Sequence, residues 1–143
     1  MAILSRASNN IDREEKSFST IIAEGFIING NLIGAGYTRI DGTIEGDVAI
    51  DEGIVLGESG VINGDVRTHE IIVHGVVNGD VNTQEIIVHG RVNGHLRAKN
   101  LEIKKSGKIK GSIFTQKVKI EPGGKYNGLL SMEVEDDNLN LDE

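Results

Sequence analysis

No cysteine occurs in the 143 residues. That absence excludes disulfide staples and cysteine-ligated metal sites, and it fits a reducing compartment. Proline occurs once, at Pro122, and aromatic residues make up only 3% of the chain. An ordinary globular core leans on large aromatic side chains, so a core of that kind is not expected here. No apolar run approaches the ~20 residues of a membrane-spanning helix. The opening MAILSRASNN carries a four-residue apolar tip, too short for a secretory signal peptide, and a cytoplasmic protein is expected. What the chain has instead is glycine, 19 of them, set among β-branched residues. Glycines at regular intervals among good strand formers suggest many corners joining short strands.

The glycines keep a period. EIIVHG stands at residues 70–75 and again at 85–90, followed by GVVNGDV and GRVNGHL, which share each copy's last glycine. The broader pattern, Gly-x-(Ile, Val or Tyr)-x-Gly, runs 42–46, 60–64, 75–79, 90–94, 107–111 and 124–128, with a degraded copy at Phe26–Gly30. Successive second glycines lie 16, 18, 15, 15, 17 and 17 residues apart. Between them Val66, Ile71, Val73, Val77, Val81, Ile86, Val88, Val92, Leu96, Leu101 and Ile103 advance in steps of 5, 2, 4 and 4. Steps of two and four are strand alternation with one face buried, and the step of five breaks it once per period as a corner does. No helical spacing survives. The expectation is an all-β fold: a single β-helix, or β-solenoid, of about six to seven coils, each laying its strands on the coil beneath at about 4.8 Å.

In such a fold identical letters one period apart form ladders. Asn29, Asn63, Asn78, Asn93 and Asn127 should form an outward column of amides, with Glu45 and Lys110 departing from it. The glycine between two inward apolar residues, as in Val77-Asn-Gly79-Asp-Val81, should let opposite walls approach or the backbone bend. The solenoid is expected over residues 20–131. Residues 1–19 read as a disordered tail, and 132–143, with six acids and no base from Glu133 on, as an acidic disordered tail.

Read as an array, the INGDV, VNGDV, VNGHL and IKGSI units flanked by polar tails make the chain resemble the bactofilins, polymer-forming bacterial cytoskeletal proteins. The resemblance covers about 110 of the 143 residues. It implies a right-handed, triangular β-helix that joins end to end into filaments with no nucleotide or other cofactor. It further implies frequent attachment to the inner face of the cytoplasmic membrane through a short N-terminal segment, and scaffold roles in cell shape or cell-wall synthesis. The partners would be further copies of the chain, membrane lipids and cell-wall or cell-shape proteins, and the protein would not be an enzyme.

Elementary physics also favours a polymer. A solenoid ends in two open strand edges, which repeat proteins usually cap, and no cap is legible. The first coil instead offers Phe26, Ile27, Ile28, Leu32 and Tyr37, and the last offers Tyr126, Leu129, Leu130 and Met132. The self-assembly set is therefore Phe26, Ile28, Leu32, Tyr37, Tyr126, Leu129 and Leu130. The tip residues Met1, Ile3, Leu4 and Arg6 are the candidate membrane contact, weak singly and multiplied by a filament.

Charge is uneven along the chain: residues 20–90 hold two basic and eleven acidic residues, and 91–131 hold ten basic and two acidic. The basic half leaves open a nucleic-acid or lipid-binding reading. His74 and His89, one period apart, should stack on an outer wall; two such rings more often form a solvated ladder than a metal site. A trimeric acyltransferase is the enzymatic alternative, since such enzymes also use β-helices. They keep a near-constant hexapeptide coil, however, and nothing here places a base beside any of the four histidines.

Overall fold

The computed structural model describes residues 18–132. All regular structure among them is β. In chain order the strands are β1 (Phe18–Ile22), β2 (Ile27–Asn29), β3 (Leu32–Gly34), β4 (Tyr37–Ile40), β5 (Thr43–Glu45), β6 (Val48–Leu56), β7 (Val61–Asn63) and β8 (Val66–Val73). They continue as β9 (Val76–Asn78), β10 (Val81–Val88), β11 (Arg91–Asn93), β12 (Leu96–Ile103), β13 (Lys108–Lys110), β14 (Ile113–Ile120), β15 (Lys125–Asn127) and β16 (Leu130–Met132). Every pairing is parallel and joins one coil to the next. The three-residue strands stack in the order β2-β5-β7-β9-β11-β13-β15, giving seven coils and one narrow wall. The longer strands form a second sheet, β1-β4-β6-β8-β10-β12-β14-β16, with β3 beside β6. The expected β-solenoid is the fold.

Each long strand bends once and supplies two walls. Along β10, Val81 and Thr83 are buried, then Ile86 and Val88. The inward step of three between Thr83 and Ile86 marks the bend, because a straight strand alternates by two. This resolves the step of five: it is two plus three, with a threonine at the inward position between. Ile50, Thr68, Thr83, Ala98 and Thr115 all fill that place and are buried. Its polarity is satisfied locally. Thr83 Oγ1 lies 3.0 Å from the His69 carbonyl on the coil below and 3.1 Å from that of Glu85. Thr115 repeats the pattern with Lys99 and Lys117. A coil thus has five inward positions, not the four its aliphatic residues suggest.

The columns run the height of the rod. One is Ile28, Ile44, Ile62, Val77, Val92, Ile109 and Tyr126; another is Ile22, Ile40, Leu56, Val73, Val88, Ile103 and Ile120. Each fully buried aliphatic residue stabilises by about 1.5–3 kcal/mol before chain entropy is subtracted.

Of the two reasons expected for the glycine corner, the backbone bend is present, with φ of +154° at Gly79 and +149° at Gly94, and the close approach involves a different neighbour. A Cβ on Gly79 would lie 2.1 Å from the Gly64 carbonyl oxygen, and one on Gly94 would lie 2.2 Å from that of Gly79. The neighbour that forbids a side chain is the backbone of the coil below, not an opposite wall. The residue after each glycine completes the corner. Side-chain oxygens of Asn31, Asp47, Asp65 and Asp80 accept the backbone N–H of Asp47, Asp65, Asp80 and His95 in turn, at 2.9–3.1 Å. Variation in coil length is absorbed outside the columns, in a bulge between Ile50 and Gly53 and in turns such as Lys104–Gly107.

Candidate self-assembly faces

Among the described residues, both ends of the rod are open. At the first, β1, β2 and β3 each pair on one side only. At the other, β15 and β16 are edge strands, and β16 covers only Ile113–Thr115 of β14, so Lys117–Ile120 is an edge too. Each edge is a row of unpaired backbone donors and acceptors. Apolar exposure falls in the same two places. Among the described residues, the exposed large hydrophobic side chains are Ile21, Phe26, Ile27 and Ile33 in the first coil and Ile120, Leu129, Leu130 and Met132 in the last. Between residues 34 and 119 there is none among the described residues; Ile21, Ile27 and Ile33 face outward on the first coil, beside the inward Ile22, Ile28 and Leu32.

Ile28 and Leu32 begin two of the inward columns and are partly packed on the core. Tyr126 and Leu130 end the same two. Phe26 and Leu129 sit at the corners beside them, 64% and 68% exposed. Tyr37 is placed differently. Its strand β4 has β1 on one side and β6 on the other, and its ring lies over Gly53, where an added Cβ would be 2.5 Å from a ring carbon. It therefore sits one strand back from the free edge.

Sequence reasoning passed over Ile21, Ile33 and Ile120. Ile120 was recoverable, since the register carries Ile103 to Ile120 as the last member of a column. The Tyr126 hydroxyl is withdrawn from water with no hydrogen bond of good geometry. Burial pushes its pKa up, and the backbone of Ile113 offsets this only in part. Met1, Ile3, Leu4 and Arg6 lie outside the described residues. Among the described residues no helix is long and apolar enough to cross a membrane.

Of the expected asparagine column, Asn63, Asn78 and Asn93 form a hydrogen-bonded ladder. Asn93 Nδ2 donates to Asn78 Oδ1, and Asn78 Nδ2 to Asn63 Oδ1, each at 2.8 Å. Asn63 Nδ2 donates to the Glu45 carboxylate at 3.0 Å, so the rung that departs from asparagine is the acceptor on which the series ends. His74 and His89 stack with ring centroids 4.5 Å apart and planes 14° from parallel. Near-parallel rings aim their nitrogens alongside one another instead of converging them on one ion, and no cluster of three or more metal-ligating side chains occurs among the described residues. His89 is held below the ordinary imidazole pKa, first by burial and then by His74 and Lys104, against smaller opposite effects of Glu121 and Glu102.

Comparison with known proteins agrees with this geometry. A family model described as "Bactofilin: Polymer-forming cytoskeletal" matches residues 20–86 and 74–131. Among curated proteins the chain is 35% identical over 51 residues to bactofilin BacN of Myxococcus xanthus, a match spanning 36% of this chain and 45% of BacN. It is 25% identical over 118 residues to bactofilin BacO of the same organism, covering 82% of each. Two solved structures share the fold. The Thermus thermophilus bactofilin, reconstructed by cryo-electron microscopy as double helical filaments, aligns with a TM-score of 0.53 at 20% identity, over 78% of this chain and 98% of that one. A crystal structure of an arginine-for-phenylalanine mutant of that protein aligns at 0.51 and 21% identity, over 73% and 100%.

Proposed function

Because the chain belongs to the bactofilin family of polymer-forming cytoskeletal proteins, we propose that it assembles end to end into filaments through the two uncapped ends of its solenoid. The observation that carries this reading is the confinement of exposed large hydrophobic residues to the first and last coils, on the same edges that leave backbone groups unpaired. A second copy stacked on either end would continue the parallel ladders and cover the last members of the columns. The filaments described for the T. thermophilus protein support the same reading. Assembly by strand pairing and apolar burial draws on no hydrolysis, and no phosphate-cradling glycine loop is present in the sequence, so no nucleotide is required. The filament would serve as a scaffold for cell-shape or cell-wall machinery at the inner face of the membrane.

The test is negative-stain microscopy of purified protein without nucleotide. Unaltered protein should form filaments. Phe26→Arg or Leu130→Arg should leave folded monomers, because each sets a cation into an apolar end face. Filaments from both variants would show the interface to lie elsewhere, and discrete trimers of the unaltered protein would favour the acyltransferase-like alternative.

A further inference from the structure

The second half of each long strand builds a wall whose outward row reads, from the first coil to the last, Ile21, Arg39, Val55, Ile72, Ile87, Glu102 and Lys119. Val55, Ile72 and Ile87 are half-buried and alternate with buried neighbours on β6, β8 and β10. The outer side of a solvated sheet is ordinarily polar, so three successive aliphatic side chains make an apolar strip about 10 Å tall. The row is also complementary to its own reverse. Ile72 stands at its middle, Val55 and Ile87 one coil to either side, and Arg39 and Glu102 two coils to either side with opposite charges. The corner row beside it has the same property. Asp41 and Lys104 stand two coils to either side of His74, and each pairs with the charge next to it: Arg39 Nε lies 2.9 Å from Asp41, and Lys104 Nζ lies 2.7 Å from Glu102. Two other outward rows lack this order. On the narrow wall Val61 and Val76 run on into Arg91, Lys108 and Lys125 with no acid in the row, and the row of Arg67, Asn82, Arg97 and Phe114 has no acid either.

A surface that matches its own reverse fits a second copy of itself. We propose that two copies of this chain pack antiparallel, wall against wall, about a twofold axis along the strand at Ile72. Each row then faces its own reverse, so that residue i meets j and j meets i. Ile72 meets Ile72, and Val55 meets Ile87 on both sides of the axis. The Arg39–Asp41 pair of one copy meets the Glu102–Lys104 pair of the other, Arg39 opposite Glu102 and Asp41 opposite Lys104, and the four charges alternate. Lys119 lays its methylene stem over Ile21, which is 63% exposed in a single rod. The parallel arrangement instead sets Arg39 on Arg39, Glu102 on Glu102 and Lys119 on Lys119, and like charges at a contact suppress that pairing. Charge along the whole rod agrees. Residues 20–90 hold eleven acidic and two basic residues, and 91–131 hold ten basic and two acidic, so antiparallel rods set the acidic half of each beside the basic half of the other. The neighbouring row adds one like-charge meeting, Glu70 with Glu70, at the bend that bounds the wall. The wall measures about 13 Å by 29 Å. A pair then buries roughly 800 Å² in all, below the roughly 1,200 Å² of a stable interface. One pair is therefore weak, and for its strength the contact rests on the end-to-end assembly proposed above, which repeats it along a filament.

The chain has no cysteine, so introduced ones report the pairing without background. Full-length Val55→Cys and Ile87→Cys proteins are mixed before assembly and then oxidised. The expected result is disulfides joining position 55 of one chain to position 87 of another. Few should join 55 to 55 or 87 to 87, because each like pair stands two coils apart, about 10 Å. Adding Arg39→Glu, or Glu102→Lys on the other side of the contact, should lower the 55–87 disulfide about tenfold, whereas Arg91→Glu on the narrow wall should leave it unchanged. Predominant 55–55 and 87–87 disulfides would mean parallel rods, no disulfide would mean that no second copy covers the strip, and undiminished crosslinking in both charge variants would mean that these charges do not set the register. Each of these results would overturn the proposal. Electron microscopy of the same samples reads the ends independently. Filaments without the 55–87 disulfide remove the pairing and leave end-to-end assembly standing, and the disulfide without filaments does the reverse.

Discussion

A single glycine shows how little room one residue has in this fold. Gly94 combines φ of +149° with an ideal Cβ position 2.2 Å from the Gly79 carbonyl oxygen. The first condition favours glycine by itself, and the second sets any side chain against backbone that is already hydrogen-bonded to the coil above and below. Gly94→Val should therefore destabilise by about 3 kcal/mol or more, read as a lowered thermal midpoint by circular dichroism. An unchanged midpoint would mean that the coils slide apart more freely than their ladders imply. The buried threonines teach a complementary lesson. Thr68, Thr83 and Thr115 occupy core positions because each hydroxyl finds a carbonyl at the bend, which makes burial of the polar group affordable. A search for apolar letters passes over them for that reason.

Between residue and molecule stand the vertical edges, each a column of corresponding corner positions. One edge carries Asp41, Gly57, His74, His89, Lys104 and Glu121 in successive coils. The rings of the two histidines stack, and above them Lys104 pairs with Glu121. The folded chain holds His89 below the ordinary value of about 6.5, by burial first and then by His74 and Lys104, with Glu121 and Glu102 acting in the opposite sense. Folding therefore expels a proton from this site near neutral pH. The contribution is full above the unfolded-state pKa and declines as pH falls through it toward the lower folded value. Thermal midpoints measured from pH 8 down to pH 5 should fall more steeply for the unaltered chain than for His89→Asn. Equal slopes would remove the site from the pH response.

For the whole molecule, the proposed end-to-end assembly would convert weak single contacts into strong collective ones. The tip residues Met1, Ile3, Leu4 and Arg6, the membrane contact expected from the sequence, offer only a few apolar side chains and would bind a bilayer weakly one copy at a time. A filament would present one tip per subunit, and avidity then multiplies the attachment. A fluorescent fusion lacking residues 1–6 should leave the cell periphery, and so should a full-length Leu130→Arg fusion, which keeps the tip but loses the array. Peripheral fluorescence that survives both changes would rule out attachment by arrayed tips.

Much of this was written into the order of residues, because a solenoid turns sequence period into spatial period. The spacing of the glycines and of Val66, Ile71, Val73, Val77 and Val81 determined the fold, the number of coils, the asparagine and histidine ladders and the apolar ends. Only the tertiary structure decided the rest. It divided the step of five into two walls at Thr83, assigned the glycine corner to the carbonyl of the coil beneath, and gave Asp47, Asp65 and Asp80 their place as acceptors of the next coil's amide. It also moved Tyr37 one strand inward from the rim, onto Gly53. The reason is common to all four: each depends on where one backbone passes over another, and a period along the chain carries no record of that distance.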